Sequence, residues 1–137
     1  MWKIYALLAA VFASMTAIFS KLGVEGINSN LATAIRVVFI LVLTWGIVIF
    51  TGTTKEIRTI SLHTFTFLFL SAVATGLSWL FYFKALQFGE VSKVASIDKL
   101  SVALTILLSI IFLKESADIK TIAGGLLVTA GSIVLLH

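Results

Sequence analysis

The sequence predicts an all-α integral membrane protein with five transmembrane helices, and three observations carry that expectation. Of 137 residues, 60% are apolar and 12% charged. The mean hydropathy of +1.15 is higher than a water-soluble domain sustains without large exposed apolar patches. The apolar residues also fall into five runs, about 4–20, 31–50, 65–83, 94–113 and 119–136, each close to the roughly 20 residues that a bilayer core requires. Finally, the polar residues gather in short connections, so sequential helices become antiparallel neighbours and almost no extramembrane domain remains. This excludes a soluble enzyme, a DNA-binding module and a receptor with a folded ectodomain. The expected location is the inner membrane of a bacterial or archaeal cell.

The first run follows Lys3, as a secretory signal would, but it is long for a signal core, lacks a small-x-small cleavage site and precedes further spans. Ala6, Ala9, Ala10, Ala13, Ala17 and Ser20 give it a small-residue face, and Ser14 beside that face leaves room for a ligand. The second run follows a connection rich in Gly, Asn and Ser, with Asn30 as the expected N-cap. On the third, Thr75, Trp79 and Tyr82 share a face and form either an aromatic wall with polar tips or part of an interfacial aromatic belt. The fourth carries Asp98, Ser101, Thr105 and Ser109 at i, i+3, i+7 and i+11, one polar stripe that faces a wet cavity or an interhelical seam. Asp118 is the expected N-cap of the fifth, where Gly124, Gly125, Thr129, Gly131 and Ser132 supply small-residue spacing for tight packing of helices or protomers. No Lys-Ser or Lys-Thr follows these glycines, so they are not a phosphate loop. Proline is absent, so nothing in the sequence predicts a proline-broken helix.

Charges inside a span cost on the order of 3 kcal/mol each, and Arg36, Asp98 and Lys99 therefore need an account. Arg36 and Asp98 fall at similar depth in runs that start on the same side of the membrane, so they can pair; the alternative is that all three snorkel to the interface. The substrate-binding candidates are Ser14, Arg36, Thr75, Trp79, Tyr82, Asp98, Lys99, Ser101 and Thr105, and the packing candidates are Gly124, Gly125, Thr129 and Gly131. No catalytic motif is present. With no Cys, and with His63 and His137 isolated from other ligand types, no metal or cofactor is expected. A net charge of +4 in so apolar a chain bears on topology and anionic headgroups, and nucleic acid is not an expected partner.

The stretches Phe83-Lys84-Ala85-Leu86-Gln87-Phe88-Gly89, Val91 to Val102, Leu113-Lys114-Glu115 and Ile122 to Gly131 resemble the EamA-type domain of the drug/metabolite transporter superfamily. Lys21 and Ala34-Ile35-Arg36 extend the likeness more loosely into the first half. The resemblance implies a carrier for small metabolites and makes the chain one five-helix module, half of a ten-helix inverted-repeat transporter. Small multidrug resistance proteins of the same superfamily carry a Glu in the first helix. Here Val11-Phe12-Ala13-Ser14-Met15 has no acid, so the likeness does not extend to proton coupling through that helix.

The expected function is thus secondary transport of a small polar or amphipathic metabolite by alternating access, with the solute between the third and fourth runs. The alternatives are a lipid-linked-sugar flippase subunit and a non-transporting membrane subunit that packs against a larger partner. An odd number of helices places the two ends of the module on opposite sides, so an inverted partner must be a second chain. The N-terminal side holds Lys3, Lys55, Arg58, Lys114 and Lys120, and the other side Lys21, Arg36, Lys84, Lys93 and Lys99. The tally is five against five, or five against three with a mild preference for a cytoplasmic N-terminus when Arg36 and Lys99 are set aside as intramembrane; so weak a bias sets no strong orientation and predicts an antiparallel homodimer, or a heterodimer with a related five-helix chain. A small-molecule substrate and membrane lipid complete the expected partners.

Overall fold

The computed structural model describes residues 1–116 and 118–136; His137, one of the two histidines considered above, lies outside them. The described residues are helical: α1 (Trp2–Val24), α2 (Ser29–Phe50), a 3-10 helix (Thr53–Thr59), α3 (Leu62–Phe88), α4 (Val91–Asp98), α5 (Leu100–Phe112) and α6 (Ile119–Val134). Four stretches are long and apolar enough to cross a membrane: α1 with 23 residues, α2 with 22, α3 with 27, and Val91–Phe112 with 22. At 16 residues α6 is shorter, so four stretches of spanning length, and not the expected five, are found among the described residues. Phe39, Phe69 and Leu127 are among the many large apolar side chains facing outward, an arrangement that suits lipid and would be ruinous in water.

Three expectations need correction. The fourth run is two helices, divided at Lys99 without proline or glycine. There the Lys99 N–H donates to the Ser96 carbonyl (3.1 Å) and the Val102 N–H to the Lys99 carbonyl (3.0 Å), the tighter i→i+3 pattern that shifts helical phase. The Ser96 hydroxyl also bonds back to the Ser92 carbonyl (2.6 Å), which favours bending. Second, α3 runs well past residues 65–83, to Phe88. Lys84 is exposed and does not end the helix, because its long side chain carries the charge outward. Third, the N-cap of α2 is Asn28: its extended backbone (φ −65°, ψ 132°) lets the side chain accept from the N–H groups of Asn30 and Leu31. Asn30 already lies inside the helix. Asp118 caps α6 as expected, accepting from the Thr121 hydroxyl at 2.6 Å and N–H at 2.8 Å. These bonds, the hydroxyl's foremost, hold its carboxyl below the usual carboxylate range.

The chain divides into two compact units, Ser20–Gln87 and a second made of Met1–Phe19 with the segment from Phe88 onward. In the Ser20–Gln87 unit the buried residues are Ser20, Val24, Ser29, Ala32, Thr33, Phe83 and Leu86, which lie at the C-terminal ends of α1 and α3 and the N-terminal end of α2. In the second unit α6 packs on α5 and α4, with Val94, Gly125 and Ser132 buried.

Candidate binding site of the α2 and α3 pair

Helix α2 turns one stripe inward. Ser29, Ala32 and Thr33 are buried on it, and Arg36 and Ile40 follow as half-buried residues at helical spacing. Its counterpart on α3 consists of Gly76, Trp79, Leu80, Phe83, Leu86 and Gln87, again at helical spacing, with Phe83 and Leu86 fully covered. Arg36 thus lies in line with the packed residues of its helix. Its guanidinium carbon is 4.2 Å from the Trp79 ring centroid and 5.5 Å from that of Phe83, within cation–π range. Tyr82 is close enough to interact electrostatically with it.

The membrane-surface end of the same unit is tied by two long-range hydrogen bonds. The Lys21 ammonium donates to the Leu86 carbonyl (2.6 Å), supplying a cation where the last carbonyls of α3 lack helical partners. The Gln87 side chain donates to the Ile27 carbonyl (2.7 Å). Between them opens a cavity of about 170 Å³ lined by Lys21, Val24, Glu25, Gly26, Leu86 and Gln87.

The predicted site residues are therefore partly assembled. Arg36, Trp79 and Tyr82 come together. Thr75 is exposed, and its hydroxyl is spent on the Ser71 carbonyl of its own helix (2.8 Å). Ser14 likewise bonds to the Val11 carbonyl (2.7 Å) on an exposed face. Asp98 and Lys99 belong to the second unit, where their side chains pair with one another at 3.5 Å, 41% and 55% exposed respectively. The expected Arg36 to Asp98 pairing joins residues of different units, and each has its observed contacts within its own. Ser101 and Thr105 are exposed on α5, as Asp98 is on α4, and Ser109 is half-buried.

Among the packing candidates, Gly125 is buried and a Cβ there would lie 2.9 Å from the Ile106 Cδ1 atom, whereas Gly124 and Gly131 face open space. Thr129 is half-buried and donates to the Gly125 carbonyl (2.8 Å). The residues that sequence reasoning left out of the site are Phe83, Lys21 and Gln87. Phe83 could have been found from its i+4 spacing to Trp79; nothing local to Lys21 or Gln87 announces bonds to residues 65 and 60 positions away. No group of metal-ligating side chains forms among the described residues.

Residues 1–137 match the EamA-like transporter family. A relative from Sinorhizobium sp., described as an uncharacterized transporter in the cobO 3' region, is 42% identical over 134 residues, covering 98% of this chain and 95% of the relative. No solved structure matches.

Proposed function

Because the chain belongs to the EamA-like transporter family and is thereby an integral membrane transporter, we propose that it moves a small polar or amphipathic metabolite by alternating access. The observation that carries this reading is Arg36, an intramembrane cation turned toward the packed side of α2 and held against Trp79 and Phe83. An ionisable side chain retained inside a span at the cost of its hydration ordinarily marks a solute or ion path. Trp79 adds an apolar wall with a polar edge, the combination that suits an amphipathic solute. The turn at Lys99 between α4 and α5 supplies a place where a span can bend while its two halves stay helical. We further propose that two chains pair in antiparallel orientation: with Arg36 and Lys99 set aside as intramembrane, the remaining Lys and Arg residues divide five against three between the two sides, a mild bias that an inverted partner can complement.

Uptake of a panel of labelled metabolites into proteoliposomes of the purified protein tests the transport reading. Saturable uptake that unlabelled solute inside the vesicles accelerates is expected. A folded protein that moves none of the panel overturns it. For pairing, the absence of cysteine permits single reporters at Asn30→Cys and Ser116→Cys, which leave the Asn28 cap intact. Labelling of both by an impermeant thiol reagent on intact cells is expected of an antiparallel homodimer, and labelling at one alone eliminates it.

A further inference from the structure

Arg36 begins about 10 Å along α2 from its start at Ser29. Counting back from the end of α3 at Phe88, Phe83 lies about 8 Å and Trp79 about 13 Å along the antiparallel helix. A snorkelling arginine would reach toward the surface and settle on Phe83. The guanidinium is instead nearer the deeper ring, 4.2 Å from Trp79 against 5.5 Å from Phe83.

Two aromatic faces cushion the cation without neutralising it. The acids of the Ser20–Gln87 unit are Glu25 and Glu56, both in connections outside the spans, and Arg36 pairs with neither. Rings that meet the guanidinium carbon over their faces offer its N–H donors no oxygen, and the fork of those donors fits a carboxylate. Beside Trp79 on the same stripe, Gly76 is half-buried yet a Cβ there would meet nothing within 4 Å. Space for an apolar body thus lies on the deeper side of the cation.

From this geometry we infer that Arg36, Trp79, Phe83 and Gly76 form a subsite for an organic anion, a carboxylate attached to a compact apolar body. The carboxylate binds the guanidinium edge, and the body lies along Trp79 over Gly76. The inference rests on the transporter reading for the purpose of the site, while the binding itself is measurable without flux.

The test is equilibrium binding of labelled phenylacetate to the purified full chain in neutral detergent, with phenylacetamide and acetate as competitors. Phenylacetate should outcompete its amide by about tenfold or more, the difference made by charge-assisted hydrogen bonds. Arg36→Gln should erase that preference and Arg36→Lys keep part of it, since an ammonium keeps the charge and loses the fork. Gly76→Leu should weaken phenylacetate while sparing acetate. Equal competition by acid and amide on the unmodified protein overturns the proposal even if every Arg36 variant fails to fold. A lipid phosphate is the other source of an oxyanion: loss of phenylacetate binding in phosphatidylglycerol nanodiscs relative to phosphatidylcholine ones assigns Arg36 to lipid and overturns the solute site. Anion binding without any flux retains the subsite and removes transport, whereas flux with no preference for the acid removes the subsite and retains transport.

Discussion

The two units hold charge inside their helices in opposite ways. In the second unit Lys99 meets Asp98 at 3.5 Å from the next position in the chain, and both side chains keep roughly half their exposure. The pair is satisfied locally and makes no demand on a distant residue. In the Ser20–Gln87 unit Arg36 reaches across to α3, where Trp79 and Phe83 lie within cation–π range and Tyr82 is near, so its charge is supported by aromatic residues and not by a carboxylate of its own unit. Two glycines, one from each unit, differ in the same sense. Gly125 is filled by Ile106 of the neighbouring helix, while Gly76 keeps open space. Asp98, Lys99 and Gly125 are taken up by local contacts, whereas Arg36 and Gly76 are the residues proposed above for a solute.

The largest effect that can break this comparison is steric. Gly125→Leu pushes new atoms into a place where even a Cβ would stand 2.9 Å from Ile106, and overpacking of this kind costs about 3 kcal/mol. Thermal melting in mild detergent should fall accordingly, and Ile106→Ala combined with it should recover part of the loss. Gly76→Leu should leave melting nearly unchanged, its effect appearing in solute binding. Similar destabilisation at the two glycines would erase the distinction between the units.

Charge removal comes next. Arg36→Gln gives up cation–π contacts worth about 1 kcal/mol at a half-buried site, and it should lower both melting temperature and solute flux. Asp98→Asn breaks a pair whose members are close to half exposed, where ion pairs contribute about 1 kcal/mol or less, and Lys99 can then turn outward. Proteoliposome flux should therefore depend more strongly on Arg36 than on Asp98. The reverse order would move the solute path to α4 and α5.

Most of the helical architecture was legible in the sequence because apolar runs of spanning length admit little else. The residues that escaped notice depend on geometry that no run length encodes. The break at Lys99 arises from i→i+3 bonds in a segment with neither proline nor glycine. The 3-10 helix at Thr53–Thr59 sits in a connection that read simply as polar. The aromatic face of α3 was visible at Trp79 and Tyr82, yet Arg36 could be assigned to it only once α2 lay alongside. Asp98, Ser101 and Thr105 were legible in the sequence as one helical spacing, whereas the turn at Lys99 that falls between Asp98 and Ser101 was not.

Smaller effects come from how the helices end. Helix α2 leaves through Gly52 at φ +72°, a conformation glycine adopts freely, while α5 is followed by Lys114 at φ +53°. A left-handed non-glycine residue carries a penalty of about 1 kcal/mol. Lys114→Gly should raise the melting temperature and Gly52→Ala should lower it. If Lys114→Gly destabilises instead, its side chain contributes more than its backbone costs.

The smallest expected effect is the pH response of the α6 cap, which tests whether the second unit also satisfies its carboxylates locally. Asp118 accepts from the Thr121 hydroxyl and N–H, and those bonds place its folded-state pKa below the unfolded value. A carboxyl depressed on folding stabilises the protein at pH values above its unfolded pKa, and that contribution is lost as pH falls through the folded one. Melting of the unmodified chain should therefore decline as acid protonates Asp118. In Asp118→Asn the amide oxygen still caps the helix but has no proton to take up, so the part of the decline owed to this residue should vanish while melting at neutral pH changes little. Thr121→Ala should remove the strongest of the bonds, move the transition to higher pH and leave Asp118 partly protonated where the unmodified protein is fully charged. Superimposable acid profiles for all three proteins would mean that the cap does not govern the end of α6.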